Sequence, residues 1–336
     1  MEGFKLKKLS ICNKSLQSKW KEWEKDTSTS PFMYFEYTRF IYIFYKYFYH
    51  KYTPIIYCVL DKTDNILMIL PLKKRLFGGY FLLNDIQGSG AAGCICDPNL
   101  DNKTREECLN KIFHEVNDIT LQRLRPENYL YNYITKLNKF EVLPITTCVS
   151  IPIPHIFEDW FLTLSSSSRQ NVRTAYNRLK RDGLTFKTIT CSKSYTISDE
   201  KRKQIMSLYT KRLFTKYNKT GNIKTIIKKM FYKYIKHDTL SLFKLDNTFH
   251  NILYINGKPA AFLSGFIDHG NSTIVVPRLA VDIEYKFYSP GYVLLYETIK
   301  QLAEEGAIKQ LDLSRGDEKY KLDLGGQKYS TYAFRL

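Results

Sequence analysis

Ser289-Pro-Gly-Tyr-Val-Leu-Leu295 and, further on, Asp312-Leu-Ser-Arg-Gly-Asp-Glu-Lys-Tyr-Lys321 are the two stretches on which the fold of this chain turns. In the first, Ser289 stands where a helix wants its N-cap, and Pro290 suits the first turn, where a missing N–H costs nothing. Gly291 lets a ligand approach the backbone, and free N–H groups at a helix start form a seat for an anion such as a pyrophosphate. An ordinary cap without a ligand reads the same way from these residues alone. The predicted helix, Tyr292–Glu305, ends at Gly306, and Gln310–Leu313 follows as a buried strand.

Upstream, Asn251–Ile255, Pro259–Ile267 and Ser272–Ala280 read as a strand meander, with Asn256-Gly257 a strong hairpin signal. An acidic and aromatic connection (Asp282, Glu284, Tyr285, Phe287, Tyr288) joins the meander to the helix. Ser166–Asp182 is predicted as a helix with Ser168 as its cap. Val172, Ala175, Tyr176 and Leu179 share one face, Arg169, Arg173, Arg178, Lys180 and Arg181 line the rest, and Gly183 ends it. A short helix precedes it over Glu158–Ser165. Leu184–Ile189 and Leu240–Leu245 read as strands, Ser198–Lys216 and Lys224–His237 as Lys-studded helices, and Tyr329–Phe334 as a closing strand.

The first half repeats the pattern in kind. Leu16–Lys25 and Phe32–Lys51 read as helices, and Pro54–Leu60 with Ile66–Lys73 as a hairpin. Tyr80–Leu83 leads into Gly88-Ser-Gly-Ala-Ala-Gly93. Asn102–Val116 is a helix in which Thr104 and Glu107 form a capping box. Thr120–Arg123 and Cys148–Ile153 are strands around a helix at Glu127–Leu137. Pro152 and Pro154 punctuate the chain, placing a boundary near Pro154. The fold class is therefore α+β, with a weak internal duplication.

The 336 residues suit two domains, and with 44% hydrophobic and 15% aromatic residues each half can build a core, which excludes wholesale disorder. The seven cysteines include no CxxC; the one close pair, Cys94-Ile-Cys96, has no second pair or histidine cluster after it, so reduced thiols are expected rather than a disulfide framework or zinc site. None of the six histidines has metal-ligand spacing, and no cysteine or serine has the partners of a hydrolase. The glycine stretch at 88–93 lacks the dinucleotide-binding register. No secretory signal is visible, and the apolar run Phe32–Tyr49 is interrupted by Glu36, Arg39 and Lys46, so a soluble, cytoplasmic protein is expected. Lys+Arg is 51 against Asp+Glu 33, a net +18. A solvated, lysine-rich surface explains that charge, and so does an acidic ligand, a nucleic acid or an anionic membrane.

Taken together, Ser168–Leu179 (Ser-Arg-Gln-Asn-Val-Arg-Thr-Ala-Tyr-Asn-Arg-Leu), Asn256-Gly-Lys-Pro-Ala-Ala-Phe262, Ser289-Pro-Gly291 and Asp312…Arg315-Gly316…Glu318…Tyr320-Lys321 resemble the GNAT-type N-acyltransferases of the CelD/BcsL branch. The resemblance covers about 160–325. The first half is similar only in style, through Ser30-Pro31-Phe32 and Leu70-Pro-Leu72. The resemblance implies two tandem GNAT-like domains, each a mixed, mostly antiparallel sheet flanked by helices: 1–154, without a cofactor, and 155–336, the acyltransferase. It implies acetyl-CoA or another acyl-CoA as donor, no metal, and an amine or hydroxyl acceptor on a sugar, glycan precursor or other small molecule. The donor would lie where two strands splay, against Arg278, Leu279, Ala280, Ser289, Pro290, Gly291, Tyr292 and Val293, with an oxyanion-binding N–H near Leu279–Ala280. Asp282, Glu284, Asp312, Glu318 and Tyr320 are the candidate proton carriers, with Arg315 and Lys321 in the same motif, and Tyr320 is placed to protonate a leaving thiolate. Arg169, Arg173 and Tyr288 are candidates for the acceptor side. Relative to longer members the closing elements are curtailed, which leaves less protein to wall that side. A Fem-type transferase using aminoacyl-tRNA has the same tandem fold, and a non-catalytic basic module binding nucleic acid or anionic membrane is the reading from another class.

Overall fold

The computed structural model describes residues 3–85, 91–116, 118–192, 197–217 and 245–335. The helix expected at Lys224–His237, the start of the glycine stretch at Gly88 and all but the end of the strand expected at Leu240–Leu245 lie outside the described residues. The chain divides into two compact units, Met1–Cys148 with Tyr329–Leu336, and Val149–Lys328.

Unit 1 runs β1 (Lys5–Leu9), α1 (Lys14–Trp23), a 3-10 turn (Pro31–Met33), α2 (Phe35–Tyr47), β2 (Tyr52–Leu60), β3 (Ile66–Arg75), β4 (Tyr80–Leu82), β5 (Ile95–Cys96), α3 (Asn102–Glu115), β6 (Ile119–Leu124), α4 (Tyr129–Lys136) and β7 (Glu141–Pro152), whose last residues belong to unit 2. Unit 2 continues with α5 (Phe157–Thr163), α6 (Ser166–Arg181), β8 (Phe186–Cys191), α7 (Asp199–Tyr217), β9 (Thr248–Ile255), β10 (Lys258–Asp268), β11 (Thr273–Val281), a 3-10 helix (Ile283–Tyr288), α8 (Pro290–Glu305), β12 (Gln310–Arg315) and α9 (Lys319–Asp323). β13 (Gln327–Arg335) closes the chain.

In unit 1 the strands lie in the order β1-β2-β3-β4-β6-β13, antiparallel except for the parallel pair β4–β6. In unit 2 the order is β8-β9-β10-β11-β12, antiparallel up to the parallel pair β11–β12. Each unit is thus a mixed, mostly antiparallel sheet flanked by helices. The Asn256-Gly257 hairpin forms as its sequence requires, with both residues at positive φ (47° and 74°) between β9 and β10.

Unit 2 packs helices on both sheet faces. Strand alternation sends Leu253 and Ile255 to a core with Val293, Leu294, Leu295, Ile299 and Leu302 of α8, and Ile252 and Tyr254 to a second core with Ile205, Leu208, Tyr209 and Leu213 of α7. Each of these fully buried aliphatic side chains contributes about 1.5–3 kcal/mol relative to exposure.

Three local expectations differ. Asp101, not Thr104, caps α3: its Oδ1 accepts the Thr104 N–H at 2.8 Å, and the Thr104 hydroxyl donates back to Oδ2. Ser165, not Ser168, caps α6, accepting the Ser168 N–H at 3.1 Å; the run of four serines offers several caps, and α5 stops just before the first. The closing strand does not complete the second half. β13 pairs with β6 (Tyr332↔Leu124, Phe334↔Leu121), and the rings of Tyr332 and Phe334 each meet Tyr131 at 5.3 Å.

Candidate functional site

The site begins with an irregularity in β11. β10 and β11 pair at Ser264↔Arg278 and next at Phe266↔Val275, so β11 uses one residue more than β10 between those pairs. The bulge falls at Val276–Pro277, where Pro277 has no N–H for the ladder. Gly265 lies opposite, and a Cβ there would sit 2.2 Å from the Val275 carbonyl oxygen, so glycine is required for the close approach. The bulge shifts the alternation: Ile274 and Val276 before it, and Leu279 and Val281 after it, all reach the α8 core. β11 and β12 pair at Thr273↔Gln310, Ile274↔Leu311 and Val275↔Asp312 and then part, although both strands continue.

The parting leaves backbone donors open. The Asp282 N–H donates to the Ala260 carbonyl at 2.8 Å, so Ala280 also faces β10 in the ladder. By the same alternation the N–H groups of Leu279 and Val281 face the opening. Asp282 then caps the 3-10 helix by accepting the Glu284 N–H. Ser289 ends that helix in the left-handed region (φ 50°, ψ 52°) and turns the chain into α8. It occupies the cap position but makes no side-chain cap bond, which corrects the expectation that its hydroxyl caps α8; its backbone is not the extended form that aims such a hydroxyl. Tyr292 and Val293 both donate to the Ser289 carbonyl (3.0 and 3.3 Å), while the Gly291 N–H has no backbone partner among the described residues.

Around these groups lies a cleft of about 740 Å³ within unit 2. Lys211, Arg212 and Thr215 of α7 line it, with Leu279 and Val281 of β11, Ile283, Lys286 and Ser289 of the connection, Pro290, Gly291 and Tyr292 of α8, and Glu318 and Tyr320 beside α9. Three of these are cations, against one carboxylate. Burial, with the Glu318 charge adding to it, pushes the Tyr320 phenol up to about 12, so it keeps its proton at neutral pH. Its ring meets that of Tyr292 edge-on at 6.3 Å. The Tyr292 hydroxyl donates to Asp323 Oδ2 at 2.5 Å, and burial followed by that bond raises its pKa. Burial works to raise the Glu318 carboxyl, but the Lys321 ammonium at 2.9 Å, its own amide and Arg212 outweigh it and hold the group below its ordinary value.

Of the residues singled out by sequence, the cleft brings together Leu279, Ser289, Pro290, Gly291, Tyr292, Glu318 and Tyr320. Ala280 and Val293 lie in the cores on either side of the sheet. Arg278 is buried and donates to the Pro277 carbonyl. Asp282 Oδ2 accepts from Lys211 at 2.8 Å, and Glu284 pairs with the same ammonium at 3.5 Å. Asp312 is buried within β12 and accepts the Ser314 N–H at 2.7 Å, supporting a left-handed bend at Ser314 (φ 54°). Lys321 is buried and donates to the carbonyls of Leu313, Arg315 and Gly316 as well as pairing with Glu318, so it ties β12 to α9. Arg315 is exposed at the end of β12.

The three acceptor-side candidates are held elsewhere. Arg169 donates to the carbonyls of Leu162 and Leu164 at the end of α5. Arg173 stands over the Phe161 ring at 5.8 Å, and the Tyr288 hydroxyl donates to Asp182. Sequence reasoning missed Lys211, Arg212, Thr215, Val281, Ile283 and Lys286. Val281 was accessible from strand parity once the bulge was known. For Lys211 and Arg212 no local signal exists, because α7 carries basic residues along much of its length.

Residues 166–322 match the model of the acetyltransferase (GNAT) domain family. This segment is similar to GNAT acetyltransferase domains. The match supports an acyltransferase. No curated protein matches the chain significantly. Among solved structures, the chain is similar to the C-terminal domain of a provisionally named lysylphosphatidylglycerol synthetase from Agrobacterium fabrum, with TM-score 0.56, 10% identity, and coverage of 97% of this chain and 92% of that one. A conserved protein of unknown function from Bacteroides thetaiotaomicron gives TM-score 0.56 at 12% identity, covering 98% and 97%. L-PGS from Bacillus licheniformis gives 0.55 at 10%, covering 96% and 91%. At such identities the likeness is one of fold, and it extends over both units.

Proposed function

We propose that the chain transfers an acyl group, acetyl in the first instance, from coenzyme A to an amine or hydroxyl of a sugar, glycan precursor or other small acceptor, as in the CelD/BcsL branch. The observation that carries the reading is one cleft containing both the uncapped start of α8 and the open N–H groups of β11. The residues present fit an anionic, elongated donor. The Gly291 N–H and the positive end of α8 face the same space as Lys211, Arg212 and Lys286, which suits phosphate groups. Gly291 leaves the backbone without a side chain at this point of the cleft wall.

Bound there, an acyl-CoA supplies an activated thioester. The Leu279 and Val281 N–H groups are fixed donors for an oxygen that gains negative charge during acyl transfer. Tyr320 holds a proton at its hydroxyl and is the acid that serves a departing sulfur. Asp282 is occupied by the Glu284 amide and Lys211 and does not line the cleft, whereas Glu318, paired with Lys321 at 2.9 Å, is the carboxylate that does. Its lowered pKa keeps it ionised, so it orients an acceptor ammonium whose proton leaves to solvent water.

An aminoacyl group carried on tRNA is the second reading, favoured by the whole-chain likeness to proteins named as lysylphosphatidylglycerol synthetases and by the net +18. Thermal unfolding with acetyl-CoA, coenzyme A or bulk tRNA at low and high salt separates the two. Ligand at 100 times its Kd stabilises the fold by about 2.7 kcal/mol. The proposal expects a shift with acetyl-CoA that survives high salt. A shift with tRNA alone overturns it in favour of the aminoacyl donor.

A further inference from the structure

Unit 1 carries an apolar projection with no counterpart in the cleft chemistry. The β3–β4 hairpin is closed by the Arg75 N–H donating to the Gly79 carbonyl at 3.2 Å, and its tip presents Leu76 and Phe77, which are 68% and 86% exposed. The end of α2 lies beside it: the Leu76 N–H donates to the Lys51 carbonyl at 3.2 Å, and Tyr52 and Thr53 pair with Arg75 and Lys74. From that side come Tyr47 and Phe48, 58% and 68% exposed, with Phe48 stacked on the buried Phe44 at 6.5 Å. Four large apolar side chains exposed on one surface mark it as a site for an apolar partner or phase.

Its surroundings specify the phase. Lys46, Lys51, Lys74 and Arg75 are all exposed around these side chains. Neither 42–53 nor 73–82 contains an aspartate or glutamate. One exposed acid, Asp118, stands at the neck of the hairpin: its carbonyl accepts the Tyr80 N–H at 2.8 Å and its carboxylate lies against Gly79. Apolar tips within a ring of cations and beside tyrosine match the layering of an anionic bilayer, with acyl chains below, ester and headgroup zone between, and phosphate above. A protruding tip also fits insertion better than it fits receipt of a partner's side chain.

We propose that this face of unit 1 docks the enzyme on anionic phospholipid membranes, with Leu76 and Phe77 entering the interface and Lys46, Lys51, Lys74 and Arg75 meeting the phosphates. The docking is peripheral; no helix among the described residues is long and apolar enough to cross a membrane.

The test is co-sedimentation of the full chain with vesicles of phosphatidylglycerol and phosphatidylcholine, or of phosphatidylcholine alone. Wild type pellets with the anionic vesicles. Leu76→Ser with Phe77→Ser weakens this about tenfold or more, the worth of one buried aromatic. Lys74→Gln with Arg75→Gln weakens it about fivefold per charge lost. Both pairs are exposed, and an unchanged Tm shows that the fold is intact. Because a chain of charge +18 can adhere to anions anywhere, the serine pair is the decisive arm. Binding that persists in it, or no binding by wild type, overturns the proposal. So does a patch that proves to pair two copies, seen as a dimer in wild type and a monomer in the serine pair, or one that binds tRNA in preference to vesicles.

Discussion

The two units share a strand order but differ at the parallel pair and at the helix beside it. In unit 1, β3 and β4 pair in regular register (Leu72↔Leu82, Lys73↔Phe81, Lys74↔Tyr80), and β4 stops at Leu82. In unit 2, β11 runs on past a bulge and leaves β12, exposing its own N–H groups. The helices differ in the same sense. α3 starts on the Asp101 carboxylate, which takes the Thr104 N–H and puts negative charge at the helix start. α8 starts on a left-handed serine, a proline and a glycine, with no side-chain cap. Two halves of one architecture thus diverge through a few residues: Gly265, Pro277, Ser289 and Gly291 border a cleft lined by three cations, whereas α3 begins on the Asp101 carboxylate. On this comparison we propose that unit 1 has no donor site.

The comparison breaks most severely at the bulge. Gly265→Val drives carbon into the Val275 carbonyl and is expected to cost roughly 3 kcal/mol or more, measured by urea denaturation of the whole chain. A fully stable Gly265→Val protein with normal turnover would mean that the bulge does not shape the cleft. Next in size is Tyr320→Phe, expected to lower kcat about 100-fold with little change in donor affinity. The pH profile sharpens this. A phenol that titrates near 10 when unfolded and near 12 when folded is protonated through the working range, so Tyr320 imposes no alkaline fall in rate below about pH 11. The same shift makes the folded state lose stability as pH rises from 10 to 12, where the unfolded chain releases its proton first. An alkaline limb near pH 8 or 9 that vanishes in Tyr320→Phe would refute the assignment.

Smaller effects follow. Lys211→Gln releases Asp282 and removes one of the cleft's cations; since the lysine is about half exposed, acyl-CoA affinity should fall only about fivefold, read by calorimetry. Asp101→Ala should cost about 1 kcal/mol of stability, the worth of an N-cap, and leave turnover unchanged. A change in acyl-CoA affinity in this variant would place donor chemistry in unit 1.

Much of this was legible in the sequence, for identifiable reasons. Asn256-Gly257 fixes a two-residue turn through backbone preference alone, and Gly306 at φ 67° ends α8 where a glycine was expected to. Such signals are local, and so is the placement of Pro290 and Gly291 at the start of α8. Caps chosen among neighbouring polar residues, Asp101 against Thr104 and Ser165 against Ser168, were displaced by three residues because either choice satisfies the local rule. Tertiary placement was not legible. Nothing in the spacing of Arg169, Arg173 and Tyr288 shows that α5 carbonyls, Phe161 and Asp182 hold them. Nothing around Tyr329–Phe334 tells that the strand joins β6 rather than its own sequence neighbours. The bulge itself lay hidden in Pro277, an ordinary-looking residue inside a strand pattern.

Calorimetric titration of acetyl-CoA into the full chain, with Gly291→Asp and Asp101→Ala alongside, tests the central claim most directly. The account predicts one site per chain, weakened at least 30-fold, or about 2 kcal/mol, when a carboxylate is placed at the start of α8, and untouched when one is removed from α3. Two sites per chain, or one that survives Gly291→Asp and fails in Asp101→Ala, would contradict it.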